Sequence, residues 1–549
     1  MIKHLLTRKY AVLATMTIAL GFAACKKNKV APEPEKKKQI SVPAIGNSKQ
    51  TPTTDRVELS NDSVFLYAKE IYYWNASLPT YDEYLPRRFK NLSTDLANYE
   101  ENLFNIGKIS ASPDYTPGFT DLNYSFIEDA TTVNAPAGLH STLAAVDTEG
   151  NGKDVGLRVE RYRTNNTEPA VYSIFVTAVY PGSPAAAAGV QRGWLIKTIN
   201  GVPVGADITY AKNAVDATSA IITGTIYTGG VKGADFSKTL ALTTPSYKSS
   251  PVYKAVTLTS GTKKIGYLAF ARFSTLDNNT KAELDAAFAD FSREGVKDLV
   301  IDLRYNGGGY ISTAEYLTNL IAPSSANGQI MFTEYYNSTM RNGQAGILIN
   351  QPVLDVNNKV IYSNALGRNL TFADEGYGPE DKNTKISKKG SLGSVSNIVF
   401  IVSSRTASAS ELVINSLKPY LNVKLVGTTT YGKPVGFFPI RIQKRYDVFF
   451  AMFETKNKNG EGGYFKGMPA DYDAATDPDV NFIDDPRYEF GDVREGYLAK
   501  SVAVLSGTPR ASASAAIKTE KTGSVTPLVM APSKEDPEFV GMIKSRVRN

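Results

Sequence analysis

The sequence predicts a multidomain protein with an N-terminal helical domain, a β-rich domain and an α/β core. The chain has 549 residues, which corresponds to two to four domains of ordinary size. Aromatic and aliphatic residues recur at helical spacing from Asp62 to about Tyr99, whereas predicted strands and helices alternate from about residue 255 to 480. Because 42% of the residues are hydrophobic and 10% are aromatic, we expect a globular protein with a large core.

The excess positive charge lies at the N-terminus. Residues 1–40 contain nine Lys or Arg and two Glu, and the rest of the chain has equal numbers of basic and acidic residues. A nucleic-acid-binding protein usually carries its excess positive charge on a folded surface. We therefore expect no nucleic-acid partner.

Cysteine and histidine are scarce, and this limits the possible chemistry. Cys25 is the only cysteine, so we expect neither a disulfide framework nor a cysteine nucleophile in a folded domain. His4 lies in the leader, and His140 lies in an Ala-, Thr- and Pro-rich stretch that we interpret as a loop. A Ser-His-Asp triad or a histidine-rich zinc site would depend on His140 alone. No metal or organic cofactor is implied.

The first 24 residues have the features of a secretory signal peptide. Basic residues precede an apolar run, residues 10–24, that ends in small side chains. A run of 15 residues is short for a membrane span, which needs about 20. The end of the run, Phe22 to Cys25, resembles a bacterial lipobox, which implies cleavage before Cys25 and lipidation of its thiol. The alternative is an ordinary cleaved signal that leaves Cys25 free.

A lipidated Cys25 would anchor the mature protein to a membrane of the bacterial cell envelope, at the periplasmic face or the outer surface. Residues 26–55 are rich in Lys, Pro, Ser and Thr, as is typical of a flexible tether. The predicted boundaries are 1–24 for the signal peptide, 25–58 for the lipidated cysteine and tether, 59–130 for the helical domain, 150–247 for the β-rich domain, 253–490 for the α/β core and 491–549 for a C-terminal helix and low-complexity tail.

The β-rich domain resembles a PDZ domain. Val171 to Val179 is a predicted strand, and residues 181–190 form a turn, a short Ala-rich helix and a Gly cap. A second strand and an Asn200-Gly201 hairpin turn follow. This order is similar to the circularly permuted PDZ domains of bacterial secreted proteases, which bind an extended peptide at a sheet edge. The resemblance places the peptide-carboxylate loop at Gly156, Leu157, Arg158 and Val159. The alternative is a PDZ fold that only braces the rest of the chain.

Three loops of the α/β core, each at the end of a predicted strand, contain the residues most suited to catalysis. The first loop, residues 302–309, ends in three glycines that free the backbone to direct N–H groups into a cleft. It lacks the Gly-Lys-Ser/Thr ending of a P-loop, so nucleotide binding is not expected. The second loop, residues 403–411, passes from a strand through small residues into a helix.

Ser408 lies in this second loop, where we expect its side chain to be exposed close to a helix N-terminus. Read alone, the pattern is also that of an ordinary helix N-cap, and Glu411 fits the first turn of a helix without further function. The third loop contains Lys433 between Gly432 and Pro434, after a predicted buried strand. Burial would disfavour the charged form of Lys433 and allow it to act as a base. The alternative is a surface lysine.

Together these loops resemble the carboxyl-terminal processing (tail-specific) serine peptidases. The family motifs are matched by Asn306 to Gly309, by Thr406 to Glu411 with Thr in place of the first Ser, by Gly432-Lys433 and, imperfectly, by Gly467 to Asp471. The resemblance implies an α/β core of the crotonase-like (ClpP/crotonase) type and a PDZ domain. It covers roughly residues 60–490.

The resemblance also implies roles for individual residues. Ser408 would be the nucleophile and Lys433 the base of a serine-type peptidase that acts on proteins or peptides through an acyl-enzyme. Backbone N–H groups of Ala409 and of Gly307 or Gly308 would hold the oxyanion.

One position departs from the family pattern. Many members carry a Gln four residues after the lysine, where this chain has Phe437. Phe437 leaves open what orients Lys433, and it favours a second hypothesis, a catalytically weak or silent peptide-binding lipoprotein on the same fold. An apolar neighbour could instead keep the amine neutral. A sugar-binding lipoprotein is a further alternative, but it does not explain the three loops. The acidic run from Asp477 to Asp485 is interpreted as a solvated loop rather than a calcium site.

Overall fold

The structure is a computed structural model that describes residues 51–110, 112–131, 146–165, 168–355, 359–477, 483–507, 529–530 and 541–544. The predicted signal peptide, Cys25, the tether and His140 lie outside the described residues. No helix within the described ranges is long and apolar enough to cross a membrane.

Two long helices dominate the N-terminal region. Arg56–Ile71 begins after Asp55, whose carboxylate accepts hydrogen bonds from two first-turn N–H groups, and Asp95–Ile109 begins after Thr94, which caps it in the same way. Short helical turns lie between them, at Asn75–Ser77, Tyr81–Tyr84 and Pro86–Arg88. The apolar faces of the two long helices join the same hydrophobic core as the α/β region. The expected helical region is therefore present, and it packs directly on the rest of the chain.

The β-rich domain is an antiparallel sheet with its own core. The strands follow the order Val529–Met530, Leu157–Arg163, Tyr172–Val179, Leu195–Ile199, Ser219–Thr228 and Val231–Ala241, and Val202–Pro203 pairs with Leu195–Ile199. The helices Pro184–Ala187 and Ile208–Val215 accompany the sheet. Asn200 and Gly201 both have positive φ, at 51° and 78°, as the predicted hairpin turn requires.

A six-stranded sheet forms the α/β core. Its order is Val252–Ser260, Lys263–Phe270, Asp298–Asp302, Asn397–Val402, Asn422–Gly427 and Tyr472–Asp473. The first strand is antiparallel to the second, and all later pairs are parallel. The helices of this region are Lys281–Arg293, preceded by a π-turn at Leu276–Thr280, then Ile311–Ile321, Ala409–Leu417 and Gly496–Ser506. The predicted α/β core is confirmed.

Smaller sheets complete the core. Ile330–Tyr336 pairs with Asn383–Lys385 and Phe453–Asn457, and Val435–Gly436 pairs with the latter. Phe126–Asp129, Tyr446–Phe449 and Ile440–Ile442 form a second sheet. The segment from 325 to 390 thus contributes strands to one of these sheets. The remaining strands are Asn151–Gly152, Tyr247–Lys248, Tyr362–Ser363 and Arg368–Asn369, and the remaining short helices are Ser324–Ala326, Ser338–Arg341, Gly346–Asn350 and Phe372–Asp374.

The C-terminal region contains the predicted helix and two strands that the sequence did not predict. Val529–Met530 joins the sheet of the β-rich domain beside Leu157–Arg163. Gly541–Ile543 runs parallel to the short strand Gly308–Tyr310. Both are contacts between segments more than 200 positions apart, which local sequence patterns do not reveal.

The expectation of a solvated acidic loop is wrong for Asp484. Its carboxylate is 6% exposed and accepts hydrogen bonds from Arg192, Arg304 and Tyr305, at 2.8, 2.8 and 2.6 Å. Burial acts to raise the pKa of Asp484, but the guanidinium groups of Arg304 and Arg192, helped by the Tyr305 hydrogen bond, lower it to about 2. Asp484 therefore links the β-rich domain, through Arg192, to the loop after Asp298–Asp302.

Candidate active site

The three loops identified from sequence meet at one edge of the core sheet. They follow the adjacent parallel strands Asp298–Asp302, Asn397–Val402 and Asn422–Gly427, whose carboxyl ends lie side by side. Hydrogen bonds join the loops directly: the Ala407 N–H donates to the Asn306 carbonyl at 3.1 Å, and the Tyr431 N–H donates to the Thr406 carbonyl at 3.0 Å.

Ser408 is held in an uncommon backbone conformation immediately before the helix Ala409–Leu417. Its φ of 59° lies in the left-handed region, which a non-glycine residue adopts only at a cost of about 1–3 kcal/mol. Its hydroxyl is buried and has no hydrogen-bond partner among the described residues. The expected exposure of Ser408 is wrong, since the residue is 0% exposed. A buried hydroxyl in a strained turn is typical of a functional position rather than of an ordinary cap.

Thr406, which replaces the first Ser of the family motif, shapes the loop. Its hydroxyl donates to the Leu303 carbonyl at 2.7 Å and accepts from the Ser403 N–H at 2.9 Å. Both bonds need only a hydroxyl group, which Ser and Thr share. The departure from the motif at Thr406 therefore leaves the loop intact.

Gly308 lies among the backbone N–H groups that we expect to bind the oxyanion. A Cβ on Gly308 would stand 3.1 Å from the Ala409 nitrogen, and the φ of Gly308 is 114°, so glycine is required. The Gly308 N–H donates to the Asn306 side chain at 2.9 Å. Of the three expected donors, the Gly308 N–H is thus already hydrogen-bonded. Ala409 is the first residue of the helix Ala409–Leu417, and N–H groups at a helix N-terminus favour negative charge.

Lys433 is fully buried, in contrast to the surface-lysine alternative. It is 1% exposed, and its Nζ donates to the Tyr124 carbonyl at 3.2 Å. The Nζ also lies 4.6 Å from the centroid of the Phe437 ring. Tyr124 follows the helix Asp95–Ile109 and lies within the predicted helical domain, so this domain contributes a contact to Lys433 that sequence reasoning missed.

Burial lowers the pKa of Lys433 from 10.5 to about 7, although the nearby carboxylates of Asp114 and Glu411 act in the opposite direction. A substantial fraction of Lys433 is then neutral near pH 7. A neutral amine can accept the proton of a serine hydroxyl.

Glu411 does more than begin a helix, which corrects its interpretation from sequence. One carboxylate oxygen accepts from the N–H groups of Ser408 and Lys433, each at 2.8 Å. The other accepts from the Thr430 hydroxyl at 2.5 Å and the Gly432 N–H at 2.8 Å. Burial raises the pKa of Glu411, and these hydrogen bonds oppose that effect. The side chain therefore joins the serine loop to the lysine loop.

Asp114 is a second buried carboxylate near Lys433 that the sequence did not reveal. It accepts from the N–H groups of Tyr124 and Ser125 at 2.7 and 3.0 Å, and from the hydroxyls of Ser125 and Tyr72 at 2.6 and 2.9 Å. These bonds hold the backbone around Tyr124 in place. The Tyr124 carbonyl accepts the hydrogen bond from the Lys433 Nζ. No local motif marks this position.

The imperfectly matched motif, Gly467 to Asp471, packs against the loop that contains Lys433. The Met468 N–H donates to the Thr430 hydroxyl at 2.7 Å, and the Thr430 N–H donates to the Met468 carbonyl at 3.1 Å. A Cβ on Gly432 would stand 2.4 Å from the Gly467 nitrogen, so the two segments pack in close contact.

The predicted peptide-carboxylate loop lies at the start of the strand Leu157–Arg163. Gly156 has a φ of 82°, and the side chains of Leu157 and Val159 are buried in the core of the β-rich domain. Arg158 forms an ion pair with Glu160 at 3.3 Å. The assignment of Gly156, Leu157, Arg158 and Val159 to peptide binding stays a prediction.

The same strand contacts the core next to the serine loop. Glu160 pairs with Arg405, three positions before Ser408, and both side chains are buried. The Arg158 guanidinium lies 4.9 Å from the centroid of the Tyr305 ring. The β-rich domain is thus joined to the loops of the candidate site by buried charged groups.

Two regions of the chain match known families. Residues 264–474 match the model of peptidase family S41, and residues 175–223 match that of the PDZ domain. Over 302 residues the chain is 25% identical to the chloroplastic C-terminal processing peptidase of Tetradesmus obliquus, covering 53% of this chain and 54% of that protein. Over 293 residues it is 26% identical to the carboxyl-terminal-processing protease of Picosynechococcus sp., covering 52% and 56%. The chain spans about half the length of these curated relatives.

A solved structure shares the fold. The chain superposes on the crystal structure of a Bacteroides fragilis protein that is described as a putative S41 protease. The TM-score is 0.55 at 22% identity, and the match covers 84% of this chain and 99% of that one. The multidomain fold class expected from sequence is thereby confirmed, whereas the predicted domain boundaries stay predictions.

Proposed function

We infer that this chain, a member of the carboxyl-terminal processing peptidases of family S41, is a serine endopeptidase in which Ser408 is the nucleophile and Lys433 is the general base. The observation that carries the proposal is the burial of Lys433, which brings its pKa to about 7, in a loop that Glu411 ties to Ser408.

The reaction follows from these positions. The Lys433 amine exchanges its contact with the Tyr124 carbonyl for one with the Ser408 hydroxyl and takes the proton, while Oγ attacks the peptide carbonyl. The Ala409 N–H, together with the backbone N–H of Gly307, or of Gly308 once it leaves the Asn306 side chain, stabilises the oxyanion, and each such donor contributes about 3 kcal/mol. The Lys433 ammonium returns the proton to the departing amine. Water then hydrolyses the acyl-enzyme by the same proton transfers in reverse order.

Phe437 supports this chemistry in place of a glutamine. Its ring is completely buried and lies against the Lys433 Nζ, so it excludes water from the amine. Exclusion of water disfavours the ammonium form, whereas a glutamine oxygen would accept a hydrogen bond from it. The low pKa of Lys433 thus rests on burial, which outweighs the opposing effect of Asp114 and Glu411.

We also propose that the PDZ domain recruits unfolded or C-terminal segments of protein substrates, and that a lipid on Cys25 anchors the enzyme in the bacterial cell envelope. Support for the anchor is the lipobox-like sequence that ends in the only cysteine of the chain. Metabolic labelling with an alkyne fatty acid tests it: label is expected on the parent and lost in Cys25→Ala.

Proteolysis of an unfolded test protein, such as reduced and alkylated lactalbumin, tests the peptidase proposal. The parent is expected to cleave it, and Ser408→Ala and Lys433→Ala are expected to lose activity. The matched control is Ser404→Ala, which alters an exposed serine in the same loop. A parent as inactive as both variants, but able to bind C-terminal peptides, would favour the silent peptide-binding lipoprotein instead.

A further inference from the structure

A segment of the chain itself lies between the oxyanion loop and the strand beside Lys433. Gly541–Ile543 pairs in parallel with Gly308–Tyr310 on one side. On the other side, the Phe437 N–H donates to the Met542 carbonyl at 3.2 Å, and the Lys544 N–H donates to the Phe437 carbonyl at 3.0 Å. The segment is therefore the central strand of a three-strand arrangement.

The first residue of this segment reaches the expected oxyanion site. A Cβ on Gly308 would stand 2.4 Å from the Gly541 carbonyl oxygen and 3.1 Å from the Ala409 nitrogen. The Gly541 carbonyl and the Ala409 amide thus border the same small space. An extended peptide with one carbonyl at this point has the placement that a peptidase substrate needs.

The last described residue of the segment enters an acidic pocket. The Lys544 Nζ donates to both carboxylate oxygens of Glu334, at 2.9 and 2.8 Å, and Glu334 is buried. Burial, and to a lesser extent the neighbouring Glu334, raises the pKa of Glu315 to about 7. Lys382 lies nearby as well, but it is paired with Glu375 at 2.6 Å.

The charges of this pocket indicate which side chain it accepts. Among the described residues, the carboxyl groups of Glu315, Glu334 and Glu375 face the ammonium groups of Lys382 and Lys544. Removal of Lys544 leaves a single cation beside three carboxyl groups, of which Glu334 is buried and Glu315 and Glu375 are half-buried. Buried carboxylates without a cation are costly, so the pocket favours a basic side chain.

We propose that this groove is the substrate-binding groove, that Gly541–Lys544 occupies it as an internal competitor, and that Glu334 selects a lysine or arginine three residues after the residue whose carbonyl faces Ala409. The proposal rests on the peptidase function only where it calls this groove the substrate-binding groove. That Gly541–Lys544 occupies the groove and that Glu334 selects a basic side chain are statements about binding alone.

Binding measurements on Ser408→Ala protein test the proposal without requiring activity. The probe is a fluorescein-labelled peptide of residues 538–547, titrated against the full chain and against a chain that ends at residue 540. The shortened chain is expected to bind at least about tenfold more tightly, because a tethered competitor has a high effective concentration. The Lys544→Glu variant keeps the full chain, and we expect it to bind the labelled peptide more tightly than the full-length Ser408→Ala protein does.

Selectivity is tested with altered peptides. A peptide carrying Lys544→Glu is expected to bind the shortened chain about tenfold more weakly, and one carrying Lys544→Arg to bind like the parent peptide. Glu334→Gln in the protein is expected to abolish this discrimination, whereas the exposed control Glu283→Gln is expected to retain it. Equal binding of all peptides, or equal binding by full and shortened chains, would overturn the proposal. If the peptides bind as expected but the chain with an intact Ser408 cleaves no substrate, only the peptidase function would be overturned.

Discussion

The Nζ of Lys433 lies 4.6 Å from the centroid of the Phe437 ring, and both side chains are buried. A cation near an aromatic face gains some electrostatic attraction. Burial has the larger effect at this site, because the pKa of Lys433 is lowered to about 7. Phe437, at the position where the motif pattern has a glutamine, is therefore compatible with a working base at Lys433.

The pH dependence of peptidase activity should report the protonation of Lys433. Because the neutral amine is the active form, kcat/KM is expected to rise with pH and to reach half of its plateau near pH 7. Phe437→Gln supplies a hydrogen-bond acceptor for the ammonium, so it should shift this half-point to higher pH. Phe437→Leu, a conservative apolar control, should leave it near 7. The profile is measured with a fluorogenic peptide, and a half-point above pH 9 in the parent would contradict the assignment.

Asp114→Asn is expected to shift the same half-point in the opposite direction. The Asp114 carboxylate favours the charged form of Lys433, so its loss should lower the pKa of the lysine. The amide keeps an oxygen that can accept from the Tyr124 N–H. A half-point that stays in place, in a variant with the parent's circular dichroism spectrum, would show that Asp114 has no electrostatic effect on the base.

Glu411→Gln should weaken both catalysis and stability. An amide offers one acceptor oxygen where the carboxylate offers two, so its NH₂ group would face backbone N–H donors. We expect a loss of about 2–4 kcal/mol in the free energy of unfolding and about 100-fold in kcat. Urea denaturation and steady-state kinetics measure the two effects. Unchanged kcat would mean that the link between the serine and lysine loops is not required for activity.

Lys433→Met should stabilise the protein while it abolishes activity. In the folded protein Lys433 loses its proton near pH 7, but in the unfolded chain it does so only near 10.5. The unfolded state thus binds more protons between these values, so the lysine costs stability below pH 10.5, and the full cost is present below pH 7. We expect a gain of about 2–4 kcal/mol at pH 7 that shrinks as the pH approaches 10.5. Denaturant midpoints at pH 7 and 10 measure it, and a less stable variant at pH 7 would contradict the low pKa.

The sequence was sufficient to predict the α/β core and the meeting of three loops, because parallel strands place their carboxyl ends at one edge. It singled out Ser408 and Lys433 because each follows a recognisable strand, and their catalytic roles stay predictions. It did not reveal Tyr124, which contacts Lys433 from 309 positions away, or the role of Glu411, whose four partners lie on two loops. The burial of Ser408 was missed for the same reason, since it depends on contacts between distant segments.

Selective labelling of the nucleophile tests the central claim most directly. The chain is treated with a fluorophosphonate at pH 8, digested and mapped by mass spectrometry, with Lys433→Ala and Ser404→Ala treated in parallel. We expect a single adduct on Ser408 in the parent and in Ser404→Ala, and a much slower reaction in Lys433→Ala. An adduct on another serine, or proteolysis by the parent with Ser408 unmodified and replaceable by Ala, would contradict the assignment of the Ser408–Lys433 pair.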